Sequence, residues 1–188
     1  MPAMSSVVGP GTGLGVGGIV PSNGKWIAVP GEGGNVTLAA MDGREAALID
    51  ILRRQYAHVS AEQILSGPGL VNLYDALCEL AGKPAGPLNP EHVTNLYPGC
   101  DPQCREAVVI FCAMLGTFAG DAALTLGARG GVYIMGGIVP RMLEVFRHSA
   151  FRERFEFKGR YRRYLEAIPT YVVTHPTASF LGLKTLLD

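Results

Sequence analysis

A glycine-rich run at residues 9–15, with the sequence GPGTGLG, is the first segment whose residue types could do chemistry. Glycines let backbone N–H groups approach and surround phosphate oxygens, and the Thr12 hydroxyl can add a side-chain donor. The run lies between two strand patterns, whereas the dinucleotide-binding fingerprint needs a following helix and the P-loop ends in Gly-Lys-Ser/Thr. A phosphate-binding turn and a plain tight hairpin therefore both remain open.

A second glycine run, GGIVPR at residues 136–141, follows an apolar segment typical of a buried strand. Open α/β sheets bind ligands at the carboxyl ends of their strands. Gly136 and Gly137 would leave room there for an adenine or a ribose. A close strand-to-helix turn explains the same two glycines.

Three polar residues form the third group of candidates. Glu32 lies among glycines, where few neighbours cover its carboxylate, and Asn35 offers both a donor and an acceptor. Glu62 can join them as a second acidic acceptor, although an acid in the first turn of a helix is also stabilised by the helix dipole. Mixed donors and acceptors of this kind suit the hydroxyl groups of a neutral polyol.

Two other kinds of site are weakly indicated. Cys100 and Cys104, with His92 upstream, could be imagined as metal ligands, but the absence of a second cysteine pair favours buried or capping cysteines. A basic and aromatic segment could contact nucleic acid, but Glu153, Glu156 and Glu166 dilute its charge and favour a solvated helical face. Its basic residues are Arg147, Arg152, Arg154, Lys158, Arg160, Arg162 and Arg163.

The helices and strands that must position these residues are predicted from hydrophobic periodicity and from helix caps, glycines and prolines. Residues 6–30 predict a glycine-rich hairpin, and Asp42 predicts a helix whose solvent side includes Arg44 and Glu45. Ser60 begins a capping-box pattern that predicts another helix. Further helices are expected at residues 70–80, at 101–126, from Pro140 and at 178–187, with strands near residues 132–135 and 171–174. The mixture predicts an α/β domain whose sheet is part hairpin and part parallel, flanked by helices.

Composition narrows the class of protein. The 188 residues are 48% hydrophobic and carry 16 acidic and 16 basic side chains, which predicts one well-buried domain over residues 1–188 and no overall attraction to nucleic acid or membrane. Residues 1–20 lack the features of a secretory signal. The longest apolar stretch suits a buried helix better than a membrane span. The expected location is the cytoplasm.

Taken together, the glycine runs and acids resemble the bacterial glucokinase family over essentially the entire chain. The resemblance is carried by GPGTGLG at residues 9–15, GEGG at 31–34, HVSAE at 58–62, LSGPGL at 65–70 and GGIVPR at 136–141. It implies the larger, C-terminal lobe of a two-lobed enzyme with an actin-like, ribonuclease-H-like ATPase fold. The implied reaction is the phosphorylation of glucose to glucose 6-phosphate by ATP and Mg²⁺, the first step of glycolysis.

The same resemblance implies the roles of individual residues. Gly11, Thr12 and Gly13 would contact the ATP phosphates, and Gly136 and Gly137 would border the adenosine. Glu32 and Glu62 would accept hydrogen bonds from glucose. Asn35 stands where many members of the family have histidine, so a sugar contact is expected there with altered strength or geometry.

The chain also departs from the family pattern. Family members have an amino-terminal lobe with an Asp-x-Gly-Gly-Thr phosphate loop and an Asn-Asp pair whose aspartate is the catalytic base, and neither motif occurs in these 188 residues. We therefore expect a truncated gene product or an isolated domain that is inactive alone and pairs into a homodimer through its uncovered apolar surface. A non-catalytic sugar sensor or interaction module on the same fold is the alternative.

Overall fold

The sheet of the domain has five strands in the order β3-β2-β1-β4-β5. The computed structural model describes residues 3–95, 101–178 and 182. The strands are β1 (Ser5–Pro10), β2 (Leu14–Ser22), β3 (Lys25–Gly31), β4 (Gly131–Ile134) and β5 (Thr170–Val172). β1, β2 and β3 form an antiparallel meander, whereas β4 is parallel to both β1 and β5. The predicted combination of a hairpin and a parallel half is confirmed.

Eight α-helices are present in the part of the chain that the structure describes. They are α1 (Gly43–Leu52), α2 (Gly67–Leu80), α3 (Pro90–Asn95), α4 (Pro102–Leu126), α5 (Ile138–Arg141), α6 (Leu143–Arg147), α7 (Phe151–Glu156) and α8 (Arg162–Glu166). Short 3₁₀ turns occur at Gly33–Asn35, Ala61–Gln63 and Gly159–Tyr161. The helix predicted at residues 178–187 lies almost wholly outside the described residues.

Helix α4 is the centre of the core, as its sequence predicts. Asp101 caps its amino end by accepting from the Cys104 N–H at 2.8 Å. α4 is long and apolar enough to cross a membrane, but 83% of its most apolar window is buried inside the protein, so it is a core helix. Gly116 and Gly120 let α7 approach, because a Cβ on Gly116 would overlap the Phe151 carbonyl oxygen.

The capping box predicted at Ser60 is wrong. The Ser60 side chain makes no capping hydrogen bond, and only one 3₁₀ turn follows it. Ser60 pairs with Thr37 in an isolated antiparallel bridge, and the Ala61 N–H donates to the Val36 carbonyl at 2.9 Å. The true helix start is Ser66, whose Oγ accepts from the Gly69 N–H at 3.0 Å, so α2 begins three residues before the predicted Leu70.

The helix expected from Pro140 begins instead at Ile138 and ends at Arg141. Helix α6 follows it directly from Leu143. Two short helices therefore replace the single predicted one, and the chain turns away from β4 immediately after Gly137.

Glu45 lies in the core and not on the solvent side where the helical pattern placed it. Only 3% of its surface is exposed. One carboxylate oxygen lies 2.7 Å from Nη2 of Arg154 on α7, and the other accepts from the Met41 N–H at 2.7 Å. Arg154 also donates through Nε to the Thr117 hydroxyl of α4 at 3.0 Å. This polar cluster joins α1, α4 and α7.

Most of the basic side chains between Arg147 and Arg163 form ion pairs or hydrogen bonds within the protein. Arg152 donates to the Ile168 carbonyl at 2.8 Å and pairs with Glu156, and Lys158 lies 2.6 Å from an Asp121 oxygen. Arg147 and Arg162 pair with Glu144 and Glu166. These contacts argue against a nucleic-acid interface here.

Candidate functional site

The first glycine run forms the turn between β1 and β2. Pro10 pairs with Leu14 across the hairpin, so Gly11, Thr12 and Gly13 make the tip, which is called the glycine turn below. The Gly11 N–H donates inside the turn to the Gly13 carbonyl at 2.8 Å. Among the described residues, the N–H groups of Thr12 and Gly13 have no acceptor, and Thr12 is exposed. These N–H groups and the Thr12 hydroxyl are donors that an anion can reach.

Glu62 lies directly against this turn. It belongs to the 3₁₀ turn Ala61–Gln63, and its Oε2 accepts from the Leu14 N–H at 2.8 Å. The fit is close, because a Cβ on Gly13 would lie 2.6 Å from that same oxygen. The Glu62 carbonyl accepts from the Ser66 hydroxyl at 2.7 Å, which fixes the backbone that carries the acid.

Glu32 directly precedes the 3₁₀ turn that follows β3, and Asn35 is the last residue of that turn. Glu32 forms an isolated parallel bridge with Val16 of β2, and the Asn35 N–H donates to the Glu32 carbonyl at 3.0 Å. Both side chains are exposed, and neither makes a hydrogen bond to any of the described residues. Their polar groups are therefore available to a ligand.

Backbone contacts bring the Glu32 segment and the Glu62 segment together. Thr37 pairs with Ser60, and the Leu38 N–H donates to the Val59 carbonyl at 3.2 Å. The Thr37 hydroxyl also lies 2.9 Å from the His58 Nε2. Both segments also meet at Leu14, because Glu62 accepts a hydrogen bond from its N–H and Gly34 packs against its carbonyl.

Gly136 and Gly137 lie on the other side of the glycine turn, after β4. Gly136 has a φ of +89°, which favours glycine, and a Cβ there would overlap the Pro10 carbonyl oxygen. The Met135 N–H donates to the Val8 carbonyl at 2.9 Å, which extends the β1–β4 pairing to this point. The second glycine run is thus packed against the first.

A cavity of about 410 Å³ opens beside Gly136 and Gly137. Its wall includes Arg141 and, from the segment after β5, Thr174 and His175.

The sequence patterns gave His175 no role. The usable signal is its place just beyond a strand that pairs in parallel with β4, since parallel neighbours end at the same edge of a sheet.

No group of three or more His, Cys, Asp or Glu side chains able to hold a metal ion occurs in the described ranges. Cys78, Cys104 and Cys112 are buried, and the Cys104 thiol donates to the Val93 carbonyl at 3.6 Å. Cys100 lies outside the described residues.

A model of the glucokinase family matches residues 1–188. The glucokinase of Paramagnetospirillum magneticum is 54% identical over 97% of this chain and 57% of its own length, and that of Nitrobacter hamburgensis is 52% identical over 96% and 57%. The chain therefore spans a little more than half the length of these relatives.

Solved structures show the same likeness. A glucokinase from an Antarctic psychrotroph superposes with a TM-score of 0.92 at 37% identity, over 99% of this chain and 58% of that one. A ROK hexokinase from Thermus thermophilus, at 20% identity, has a TM-score of 0.62 over 95% of this chain and 55% of its own. The predicted actin-like ATPase fold, with its mixed sheet flanked by helices, is confirmed.

Proposed function

Because this chain belongs to the glucokinase family, we propose that it supplies one wall of an active site that transfers a phosphoryl group from ATP to glucose. The family supports sugar phosphorylation by the whole protein, and the chain would be its C-terminal, larger lobe. A second lobe, absent from these 188 residues, would supply the opposite wall and the catalytic base.

The contact between Glu62 and the glycine turn carries this proposal. An acid suited to a sugar hydroxyl accepts a hydrogen bond at 2.8 Å from the N–H of Leu14. Leu14 directly follows the glycine turn, whose open N–H groups suit a phosphate. Phosphoryl transfer depends mainly on holding the nucleophile close to the phosphate and on stabilising charge there. A binding site for either ligand alone would not need the two features in contact.

Each predicted residue then has a role. Glu32 and Glu62 would accept hydrogen bonds from glucose hydroxyls, and Asn35 would add an uncharged contact. Thr12 and Gly13 would donate to the ATP phosphates, while Gly11 leaves the turn open, since a Cβ there would meet nothing within 4 Å.

The adenosine would occupy the cavity beside Gly136 and Gly137, with Thr174 and His175 on its far wall. In this arrangement the nucleoside and its phosphates would lie on adjoining sides of the packed pair of glycine runs. Among the described residues, no group of three or more His, Cys, Asp or Glu side chains could hold Mg²⁺. The participation of Mg²⁺ is supported by the family and by the chemistry of ATP, and none of the residue roles given above depends on the ion.

We expect the chain alone to bind glucose and ATP weakly and to transfer no phosphoryl group, because half of the cleft cannot both exclude water and remove the sugar proton. Measurement of ADP formed by the purified chain with glucose and ATP tests this. Robust glucose-dependent ADP formation would contradict it. The homodimer and the cytoplasmic location stay predictions, and light scattering over a range of concentrations tests the former.

Sugar binding is tested by titrating the ¹⁵N-labelled chain with glucose and, for comparison, mannose while following the backbone amides of Gly33 and Asn35. Glu32→Ala should weaken glucose binding by roughly 10- to 100-fold, the range expected for loss of a hydrogen bond to a charged group. The matched control is Glu153→Ala, which removes an exposed carboxylate from α7. If glucose shifts neither amide resonance at any concentration, the sugar site is refuted.

A further inference from the structure

The peptide groups of Leu14 are held from both sides by the segments that carry the proposed sugar ligands. The Leu14 N–H donates to the Glu62 carboxylate at 2.8 Å. The Leu14 carbonyl packs against Gly34, where a Cβ would overlap it. Leu14 is only 4% exposed. The junction between the glycine turn and β2 therefore cannot move without disturbing the Glu62 segment, the Glu32–Asn35 segment or both.

The start of the glycine turn is tied to the same region. The Gly67 N–H, in the first turn of α2, donates to the Gly11 carbonyl at 2.8 Å. The cap of that helix, Ser66, also holds the Glu62 carbonyl. Both ends of the turn are thus anchored to the short stretch of chain that carries Glu62.

The two oxygens of the Glu62 carboxylate are differently engaged. Oε2 is bonded to the Leu14 N–H, whereas Oε1 makes no hydrogen bond to the described part of the chain. A ligand hydroxyl can donate to Oε1 while Oε2 keeps its bond, and such a contact would hold the carboxylate in the orientation that fixes Leu14.

We propose that Glu62 is a positioning residue for the glycine turn as well as a sugar ligand, so that sugar and nucleotide binding are thermodynamically coupled through the Leu14 peptide groups. This inference rests on the proposed function. A sugar that immobilises Glu62 orders the turn, which then holds phosphate at a smaller entropic cost. By linkage, the nucleotide must raise sugar affinity by the same factor, and couplings of this kind are about fivefold or more.

One glycine of the turn and one outside the candidate site provide the test. Gly13→Ala places a methyl group 2.6 Å from Glu62 Oε2 and should displace the carboxylate, whereas Gly43→Ala, at the start of α1, meets nothing within 4 Å. The ¹⁵N-labelled native chain and both variants are titrated with glucose alone while the amide resonances of Thr12, Leu14 and Gly34 are followed. In the native chain and in Gly43→Ala, all three resonances should shift along one saturation curve. In Gly13→Ala, the responses of Thr12 and Leu14 should be lost.

A second measurement uses only the native chain and does not depend on the folding of a variant. Saturating AMPPNP, a non-hydrolysable ATP analogue, should tighten glucose binding about fivefold or more. An unchanged glucose affinity would overturn the coupling. If glucose moves Gly34 but not Thr12 or Leu14, the coupling is wrong and the sugar site stands. If glucose moves none of the three, both the sugar site and the coupling fall.

Discussion

Replacing Arg154 by methionine should destabilise the fold severely. The substitution keeps an unbranched apolar stem but removes the guanidinium group, whose Nη2 lies 2.7 Å from Glu45. The side chains of Arg154 and Glu45 are 16% and 3% exposed, so water can do little to replace the lost partner. Breaking a buried ion pair in this way lowers the free energy of unfolding by about 3–5 kcal/mol, and the partial exposure of Arg154 favours the lower end of that range.

Urea denaturation followed by circular dichroism measures the effect. With an m-value of about 2 kcal/mol per M, a loss of about 3 kcal/mol lowers the midpoint by about 1.5 M. The control is Arg53→Met, which breaks an ion pair with Asp50 whose side chains are 63% and 66% exposed, and which should cost less than about 1 kcal/mol.

A double variant distinguishes the cost of the unpaired buried charge from the cost of lost packing contacts. Glu45→Gln in the Arg154→Met background removes the unpaired charge and keeps an oxygen that can accept from the Met41 N–H. It should recover at least half of the lost stability, since the penalty comes mainly from an uncompensated charge. An Arg154→Met variant within about 1 kcal/mol of the native chain, or a double variant no more stable than the single one, would refute this reasoning.

Three further outcomes are expected. Gly116→Ala should lower the free energy of unfolding by about 1–3 kcal/mol, because its Cβ would overlap the Phe151 carbonyl oxygen. Gly43→Ala, with open space around the new methyl group, should not lower it. Equal urea midpoints for the two variants would contradict this. Ser66→Ala should cost about 1 kcal/mol or more, since it removes the cap of α2, and an unmoved midpoint would show that the cap is dispensable. Burial raises the pKa of the Cys112 thiol to about 12, so iodoacetamide at about pH 8 should modify it only after unfolding, as mass spectrometry of the labelled peptides can show.

Local signals predicted most of the elements. Asp101 followed by proline marks the start of α4, and the apolar pattern carries that helix to its observed end at Leu126. The hairpin of β2 and β3 turns at Asn23 and Gly24, both with positive φ, as an Asn-Gly pair requires. In these cases the determining interactions lie within a few residues, so the sequence pattern contains them.

The errors arise where a distant segment competes for the same groups. Ser60 has the spacing of a cap, but pairing with Thr37 engages the backbone that a new helix would have used. Glu45 has the polarity of a surface residue, and its partner Arg154 is brought to it only by the packing of α7 against α4. His175 joins the candidate cavity through strand pairing, which no local pattern reveals.

The glycines of the candidate site divide into two classes that the sequence alone cannot distinguish. At Gly13, Gly34 and Gly136 a side chain would strike Glu62, Leu14 or Pro10, so these glycines are needed for packing whether or not a ligand binds. At Gly11 and Gly137 a side chain would meet nothing within 4 Å. Only at these two open positions would the lack of a side chain matter specifically to a bound ligand. Alanine at Gly137 should therefore weaken AMPPNP binding without a loss of stability, whereas alanine at Gly136 should reduce both, and equal effects of the two in thermal unfolding would contradict this division.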